Sequence, residues 1–201
     1  MFCYFKERCK SNKLQRLLFY MFDEAEFLSP HGIRSVSKYH KDHPFVMHVD
    51  GEEYRVDYKP AESTSGMFGG NSNWRSPIWF PINYLLLEAL QDFSEYLGDN
   101  FQIEFPTGSG NYQNLDQIII QLAERMTKIF LRDETDKRPV FRNLEKFKSD
   151  PYWKYYVYFH EYFHGDNGAG SGASHQTGWT GVVAFMIQLF AESQIENRKA
   201  K

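Results

Sequence analysis

Residues 158–181 of the chain read YFHEYFHGDNGAGSGASHQTGWTG. The first part contains the pattern H-E-x-x-H at His160, Glu161 and His164, which on a helix directs two imidazoles toward one zinc ion and makes the glutamate a general base. The glycines that follow favour turns and predict that a helix reaching this stretch ends at His164. The stretch is therefore compatible with a helical zinc site or with a carboxylate beside a glycine-rich loop, and the two interpretations need different folds.

A helical zinc site needs more than this pattern provides. A catalytic zinc takes a third protein ligand, and the longer motif would place a glycine at Asn167 and a histidine at Gly170. His175 could still serve as the third ligand, so a zinc peptidase stays open as an alternative. The simpler interpretation makes His160 and His164 pocket-wall or capping residues, and on it we expect no metal and no cofactor.

The composition gives no indication of nucleic-acid or membrane binding. The 201 residues carry a net charge of −3, and the early apolar run at 17–22 is too short for a membrane span and lacks a cleavage site. Cys3 and Cys9 form no spaced framework, which predicts free thiols in a reducing compartment and hence a cytoplasmic protein. Aromatic residues make up 17% of the chain, which fits a pocket that stacks flat rings against sugar faces.

Apolar periodicity predicts helices separated by long, turn-rich loops. The helices expected are 13–26, 77–97, 113–132 and 176–196, with a short helix leading toward Glu161. A small β-hairpin is expected near 45–58, where alternating segments flank Asp50-Gly51. This pattern predicts an all-α fold of helical hairpins whose loops build a site at one end. Such hairpins would leave apolar faces uncovered, so we expect the chain to be part of a larger unit.

Polar and aromatic side chains concentrate in three segments, at 69–79, 104–110 and 158–181. In the first, Asn73 offers an amide, Arg75 a planar set of donors, and Trp74 and Trp79 flat faces. Trp79 is equally compatible with a position in the core and with a position in the pocket. In the second segment, Glu104 either binds a hydroxyl or forms a surface ion pair.

Four strings in order resemble the C-terminal half of the family 63 glycoside hydrolases, especially the mannosylglycerate-hydrolase-like and glucosidase branch. They are HGIRSVSKYH at 31–40, NSNWRSPIW at 71–79, EFPTGSG at 104–110, and EYF with TGWTG at 161–163 and 177–181. The resemblance covers nearly the whole chain. It implies the C-terminal part of an (α/α)6 barrel, with 1–201 as a single partial domain that lacks the N-terminal half. It also implies hydrolysis of α-glycosidic bonds with inversion.

By this resemblance, Glu161 falls on the family's general base, and Trp74 and Arg75 fall on the loop that lines the sugar subsite. The full set of substrate-binding residues that we expect is Asn73, Trp74, Arg75, Trp79, Tyr162 and Trp179. Ser76 departs from the glycine that the family usually has after the arginine, and its side chain is expected to crowd the loop.

An inverting hydrolase needs a second carboxyl group as general acid. By the resemblance this is an aspartate in the earlier half of the barrel, and no residue of this chain matches it. We therefore expect a fragment with little or no activity alone, whose partner is an oligosaccharide or a small glycoside. A carbohydrate-binding remnant without catalysis is the alternative.

Overall fold

Helices and short antiparallel strand pairs alternate along the chain. The computed structural model describes residues 11–62, 64, 74–142, 144–188 and 191. Its helices are α1 (Ser11–Met21), α2 (Phe80–Leu97), α3 (Leu115–Thr127), α4 (Lys146–Ser149) and α5 (Thr177–Thr180), and residues 183–188 are also helical. Single turns of 3-10 helix lie at Lys38–Lys41 and Pro139–Phe141. None of the helices in this described part is long and apolar enough to cross a membrane.

The strands correct the expectation of an all-α fold. They pair as β1 (Leu28–Ser29) with β2 (Gly32–Ile33), β3 (Phe45–Val49) with β4 (Glu52–Val56), β5 (Gln102–Glu104) with β6 (Tyr112–Asn114), and β7 (Tyr162–Phe163) with β8 (Gly170–Ser171). Because two-residue strands carry almost no periodicity, the sequence pattern could not distinguish most of them from loops.

The two longest helices form where the sequence predicts them and pack against each other. In α2, Pro81 lies in the first turn, where its missing N–H costs no hydrogen bond. That helix ends at Gly98, whose N–H donates to the Ser94 carbonyl at 2.8 Å. In α3, Asn114 and Gln117 form a reciprocal capping box. The amphipathic pattern of α3 thus places its apolar face in the core and its caps at the surface.

Other predicted boundaries differ from the structure. The first helix ends at Met21. Helix α3 begins at Leu115, because Tyr112–Asn114 pair as a strand, and it ends at Thr127. The short helix expected before Glu161 is wrong: α4 lies earlier, 151–155 form turns, and 156–160 have no regular structure. The last predicted helix is divided between α5 and 183–188, and its end lies outside the described residues.

The predicted hairpin is confirmed. Phe45 pairs with Val56 and Val49 with Glu52 across an Asp50-Gly51 turn in which both central residues have positive φ, 51° and 85°. The residues of β3 are exposed along the whole strand, so this hairpin projects from the core.

The core brings distant segments together around Ile78. Its N–H donates to the Phe163 carbonyl at 2.8 Å, and its carbonyl accepts from the Phe163 N–H at 3.0 Å. Ile78 also bridges to Arg34, beside β2. Ile78 and Phe163 are completely buried among the aromatic and aliphatic side chains of the core. This pairing sets Trp79 and Tyr162, one neighbour of each residue, side by side.

Asn83 attaches α2 to β2. Its side-chain oxygen accepts from the Ile33 N–H at 2.7 Å, and its amide nitrogen donates to the carbonyls of Ile33 and Trp79, both at 3.0 Å. Asn83 is only 3% exposed, so water cannot replace its side chain as the hydrogen-bond partner of these backbone groups.

We expect Asn83→Ala to lower the free energy of unfolding by about 2–4 kcal/mol, because it leaves buried backbone groups of Ile33 unsatisfied. Urea unfolding followed by circular dichroism measures this change. Gln91→Ala, on the exposed face of the same helix, is the control and should change stability by less than about 0.5 kcal/mol. Equal effects of the two substitutions would contradict the role of Asn83.

Candidate functional site

Four aromatic side chains from two of the predicted segments, 69–79 and 158–181, form one cluster. Trp74 and Trp79 stack with ring centroids 3.9 Å apart and an interplanar angle of 2°. The Tyr162 ring lies 4.8 Å from Trp79, and the Trp179 ring meets Trp79 edge-on at 6.2 Å. Trp79 is 1% exposed, whereas Trp74 and Trp179 are 38% and 37% exposed. We call these four residues the aromatic cluster; Trp74 and Trp179 reach solvent, and Trp79 and Tyr162 are buried.

Glu161 lies next to this cluster, at the start of β7. Its N–H donates to the Ala173 carbonyl at 2.9 Å, and its Oε2 accepts from the Ala173 N–H at 3.3 Å. A Cβ at Gly172 would lie 2.7 Å from Glu161 Oε2 and 2.7 Å from Tyr162 Cε1, and Gly172 has a φ of 68°. Only glycine fits this position, since both the space and the backbone conformation exclude a side chain. The glycine run therefore brings a backbone strand directly against the carboxylate.

The helical zinc site is wrong. His160, Glu161 and His164 lie on a segment that contains β7, and in an extended strand residues four apart are about 13 Å apart. No group of three or more His, Cys, Asp and Glu side chains comes together to hold a metal ion within the described ranges.

The two histidines have other positions. The His160 ring packs against Gly170, where a Cβ would lie 2.1 Å from it, and burial lowers the pKa of His160. His164 Nδ1 accepts a hydrogen bond from the Asp166 N–H at 3.1 Å, which makes it a capping residue of the glycine-rich turn. His160 is therefore a wall residue and His164 a capping residue, which agrees with the simpler of the two interpretations.

Arg75 follows Trp74 in the chain and is buried. Its side chain is 3% exposed and pairs with Asp57 at 3.7 Å. Asp57 also pairs with Lys59 at 3.6 Å, so the arginine connects the loop that carries Trp74 to residues after β4. The predicted contact of Arg75 with a sugar stays a prediction. Asn73 lies outside the described residues.

Ser76 is accommodated where a glycine was expected. It is completely buried with a φ of 90°, a conformation that side chains rarely adopt. Its hydroxyl accepts from the Lys59 N–H at 3.1 Å, and its own N–H donates to Ser35 Oγ at 2.9 Å. The backbone of Ser76 is therefore strained, and its side chain is hydrogen-bonded.

A partly buried ion-pair network supports the turn that follows β7. Arg34 donates to Asp166 Oδ1 at 3.2 Å and to the Tyr58 hydroxyl at 3.1 Å, and Lys38 lies 3.4 Å from the same carboxylate oxygen. Burial opposes ionisation of Asp166, but the hydrogen bond from Tyr58 and the charges of Lys38 and Arg34 lower its pKa on balance. Arg34 belongs to a string that carried the family resemblance, although no role was predicted for it.

Two glutamates outside the aromatic cluster have defined contacts. Glu104 accepts a hydrogen bond from the Gly110 N–H, and backbone hydrogen bonds from Gly108 and Gly110 lower its pKa, so it closes its own turn. Glu62 accepts from the Tyr162 hydroxyl at 2.6 Å and from the Gly172 N–H at 2.8 Å. Sequence reasoning missed Glu62, because it stands in a polar loop without periodicity or motif.

Comparison with known proteins matches residues 4–189 to the glycosyl hydrolase family 63 C-terminal domain. An uncharacterized protein of Saccharomyces cerevisiae is 55% identical over 87% of this chain and 16% of its own length. Mannosyl-oligosaccharide glucosidase of the same yeast is 25% identical over 90% of the chain and 16% of its own length. A probable mannosyl-oligosaccharide glucosidase of Schizosaccharomyces pombe is 29% identical over 86% and 15%. The chain thus spans about one sixth of the length of these relatives.

Stability should fall between pH 7 and pH 5 because of His31. Burial, with the charges of His164, Arg125 and Arg34, lowers the pKa of His31 to about 4. The unfolded chain, with a histidine pKa near 6.5, takes up a proton in this range while the folded chain does not. We therefore expect His31 alone to lower the free energy of unfolding by about 2 kcal/mol when the pH falls from 7 to 5.

Urea unfolding at pH 5, 6 and 7 measures this dependence. His31→Gln should reduce the fall, whereas His48→Gln, on the exposed hairpin, should retain the dependence of the parent. Parallel curves for the parent and His31→Gln would show that the assignment is incorrect.

At Ser76, glycine should be tolerated better than alanine. Ser76→Ala loses the bond from Lys59 and keeps a Cβ at positive φ, whereas Ser76→Gly loses the same bond but relieves the strain. We expect the glycine variant to be more stable than the alanine variant by about 1 kcal/mol, measured by urea unfolding. At Ser149, in α4, the alanine variant should instead be more stable than the glycine variant. If alanine were the more stable replacement at both sites, the backbone strain at Ser76 would be disproved.

Proposed function

The chain belongs to glycosyl hydrolase family 63, and from this membership we propose that it forms the general-base side of an inverting α-glycosidase site. Glu161 takes a proton from a water molecule as that water attacks the anomeric carbon. The aromatic cluster provides flat apolar surfaces for the C–H faces of the sugar, and Arg75 with neighbouring polar groups holds its hydroxyls. No metal or cofactor takes part in this scheme.

The observation that carries the proposal is that a carboxylate and an aromatic ring both lie close to the same glycine. Gly172 lies against both Glu161 Oε2 and the Tyr162 ring, and that ring is 4.8 Å from Trp79. Stacking on the partly exposed Trp74 ring would orient a sugar without using charge, which leaves the carboxylate free to activate water.

The names of two relatives support a substrate class. Two of them are named mannosyl-oligosaccharide glucosidase or probable mannosyl-oligosaccharide glucosidase, which favours an α-glucoside of an oligosaccharide. Mannosylglycerate, the substrate of another branch that the sequence resembles, is the second substrate to test.

The general acid comes from sequence outside this chain. The relatives are about six times longer, and we propose that this chain completes an (α/α)6 barrel whose earlier half carries the acid. Protonation of the leaving group contributes about 10²–10⁴-fold to such reactions. The 201 residues alone are therefore expected to hydrolyse glycosides poorly or not at all.

A hybrid enzyme tests the proposal. Residues 4–189 replace the matching segment of the 55% identical S. cerevisiae protein, and hydrolysis of α-glucosides and mannosylglycerate is assayed, with the product anomer followed by NMR. We expect hydrolysis with inversion, and a loss of at least about 10²-fold in kcat on Glu161→Gln, because the water then lacks a base.

The matched control is Glu95→Gln, an exposed glutamate of α2, which should leave kcat unchanged. Undiminished turnover by the Glu161→Gln hybrid would exclude Glu161 as base. A folded hybrid without any hydrolysis would contradict the glycosidase proposal itself.

Carbohydrate binding without catalysis is the second candidate, favoured by the stacked pair of Trp74 and Trp79, in which Trp74 is 38% exposed. Isothermal titration of the chain with oligosaccharides separates it from the first. Binding without turnover in the hybrid supports this candidate, and turnover that depends on Glu161 excludes it.

A further inference from the structure

The segment 58–62 is attached to the glycine-rich loop that joins β7 to β8. The Tyr58 hydroxyl donates to Asp166 Oδ1 at 2.8 Å, and the Pro60 carbonyl accepts from the Gly165 N–H at 2.9 Å. These bonds hold the first turn of the loop. Glu62, at the far end of the segment, contacts the backbone just after β8, at Gly172.

Glu62 is an exposed side chain with both carboxylate oxygens engaged. Oε2 accepts from the Tyr162 hydroxyl at 2.6 Å, and Oε1 accepts from the Gly172 N–H at 2.8 Å. Charge-assisted hydrogen bonds of this length are stronger than those between neutral groups. One carboxylate thus connects a ring of the aromatic cluster to the backbone beside the proposed base.

Two consecutive amides just after β8 donate to two different carboxylates. The Gly172 N–H donates to Glu62, and the next amide, of Ala173, donates to Glu161 at 3.3 Å. Since a Cβ at Gly172 would meet Glu161 and Tyr162 at 2.7 Å, the backbone has almost no room to shift toward either. A displacement of the Gly172 amide would therefore move the amide that orients Glu161.

We propose that Glu62 is a positioning residue for Glu161. It fixes the Gly172-Ala173 backbone and the Tyr162 ring, and through them it holds the Glu161 carboxylate at the edge of the aromatic cluster. Small misplacement of a catalytic group is enough to lower a rate by one or two orders of magnitude. This inference rests on the general-base role proposed above, and it adds a residue from a segment that no motif indicated.

Amide hydrogen exchange in the 201-residue chain tests the contact without requiring hydrolysis. In Glu62→Gln the single side-chain oxygen accepts from only one of the two donors, so the amides of Gly172 and Ala173 should exchange about tenfold faster by NMR. Tyr162→Phe removes the other half of the bridge and should accelerate the same amides, with less than additive effect in the double variant. Unchanged exchange at both amides in Glu62→Gln would overturn the inference.

Kinetics of the hybrid enzyme separate positioning from sugar binding. Glu62→Gln should lower kcat about tenfold and leave KM within about twofold, because the base is displaced while the aromatic surfaces remain. A higher KM with unchanged kcat would make Glu62 a ligand of the substrate and overturn the positioning role. Glu52→Gln, an exposed glutamate of β4, is the control and should change neither constant.

The two proposals fail in distinguishable ways. If Glu161→Gln leaves hydrolysis intact, the general-base assignment falls, and the exchange of Gly172 and Ala173 still decides whether Glu62 holds the loop. If exchange in Glu62→Gln is unchanged while Glu161→Gln abolishes hydrolysis, the base stands and Glu62 does not position it.

Discussion

The candidate site depends on one pair of backbone hydrogen bonds, between Ile78 and Phe163. Both residues are completely buried, and each uses its N–H and its carbonyl on the other. No water replaces these bonds in the core, so breaking them would leave unsatisfied polar groups in an apolar surrounding. Because Trp79 follows Ile78 and Tyr162 precedes Phe163, this pairing brings the two halves of the aromatic cluster into contact. Asn83 of α2 also holds the backbone next to Ile78, because its side-chain amide donates to the carbonyl of Trp79.

Glycines serve here to let the backbone approach polar and aromatic side chains. Gly170 packs on the ring of His160, and Gly172 packs on Glu161 and Tyr162, at distances that no Cβ permits. The result is a loop that supplies N–H groups to carboxylates, which is a common way to orient charge in a site. The histidines that resemble a metal motif are part of this packing.

Local signals in the sequence predicted the parts of the fold that depend on neighbouring residues. The Asp50-Gly51 turn indicated a hairpin, and the spacing of Ile118, Ile119 and Leu122 indicated α3. The aromatic residues near Glu161 were also found from sequence, through motifs that resemble a known family. What failed was the segment before Glu161, where aromatic residues suggested a helix and the chain instead forms turns and an extended stretch.

The sequence by itself determined the family, the two long helices, the hairpin and the candidate residues, because periodicity, turn residues and ordered motifs are properties of the chain. Only the tertiary structure decided that His160 and His164 do not share a helix face, that Arg75 is buried against Asp57, and that Glu62 reaches Tyr162 and Gly172. The physical reason is that these contacts join residues far apart in sequence. Their partners are selected by burial, close backbone approach and hydrogen-bond satisfaction in the folded chain, and none of these follows from local pattern.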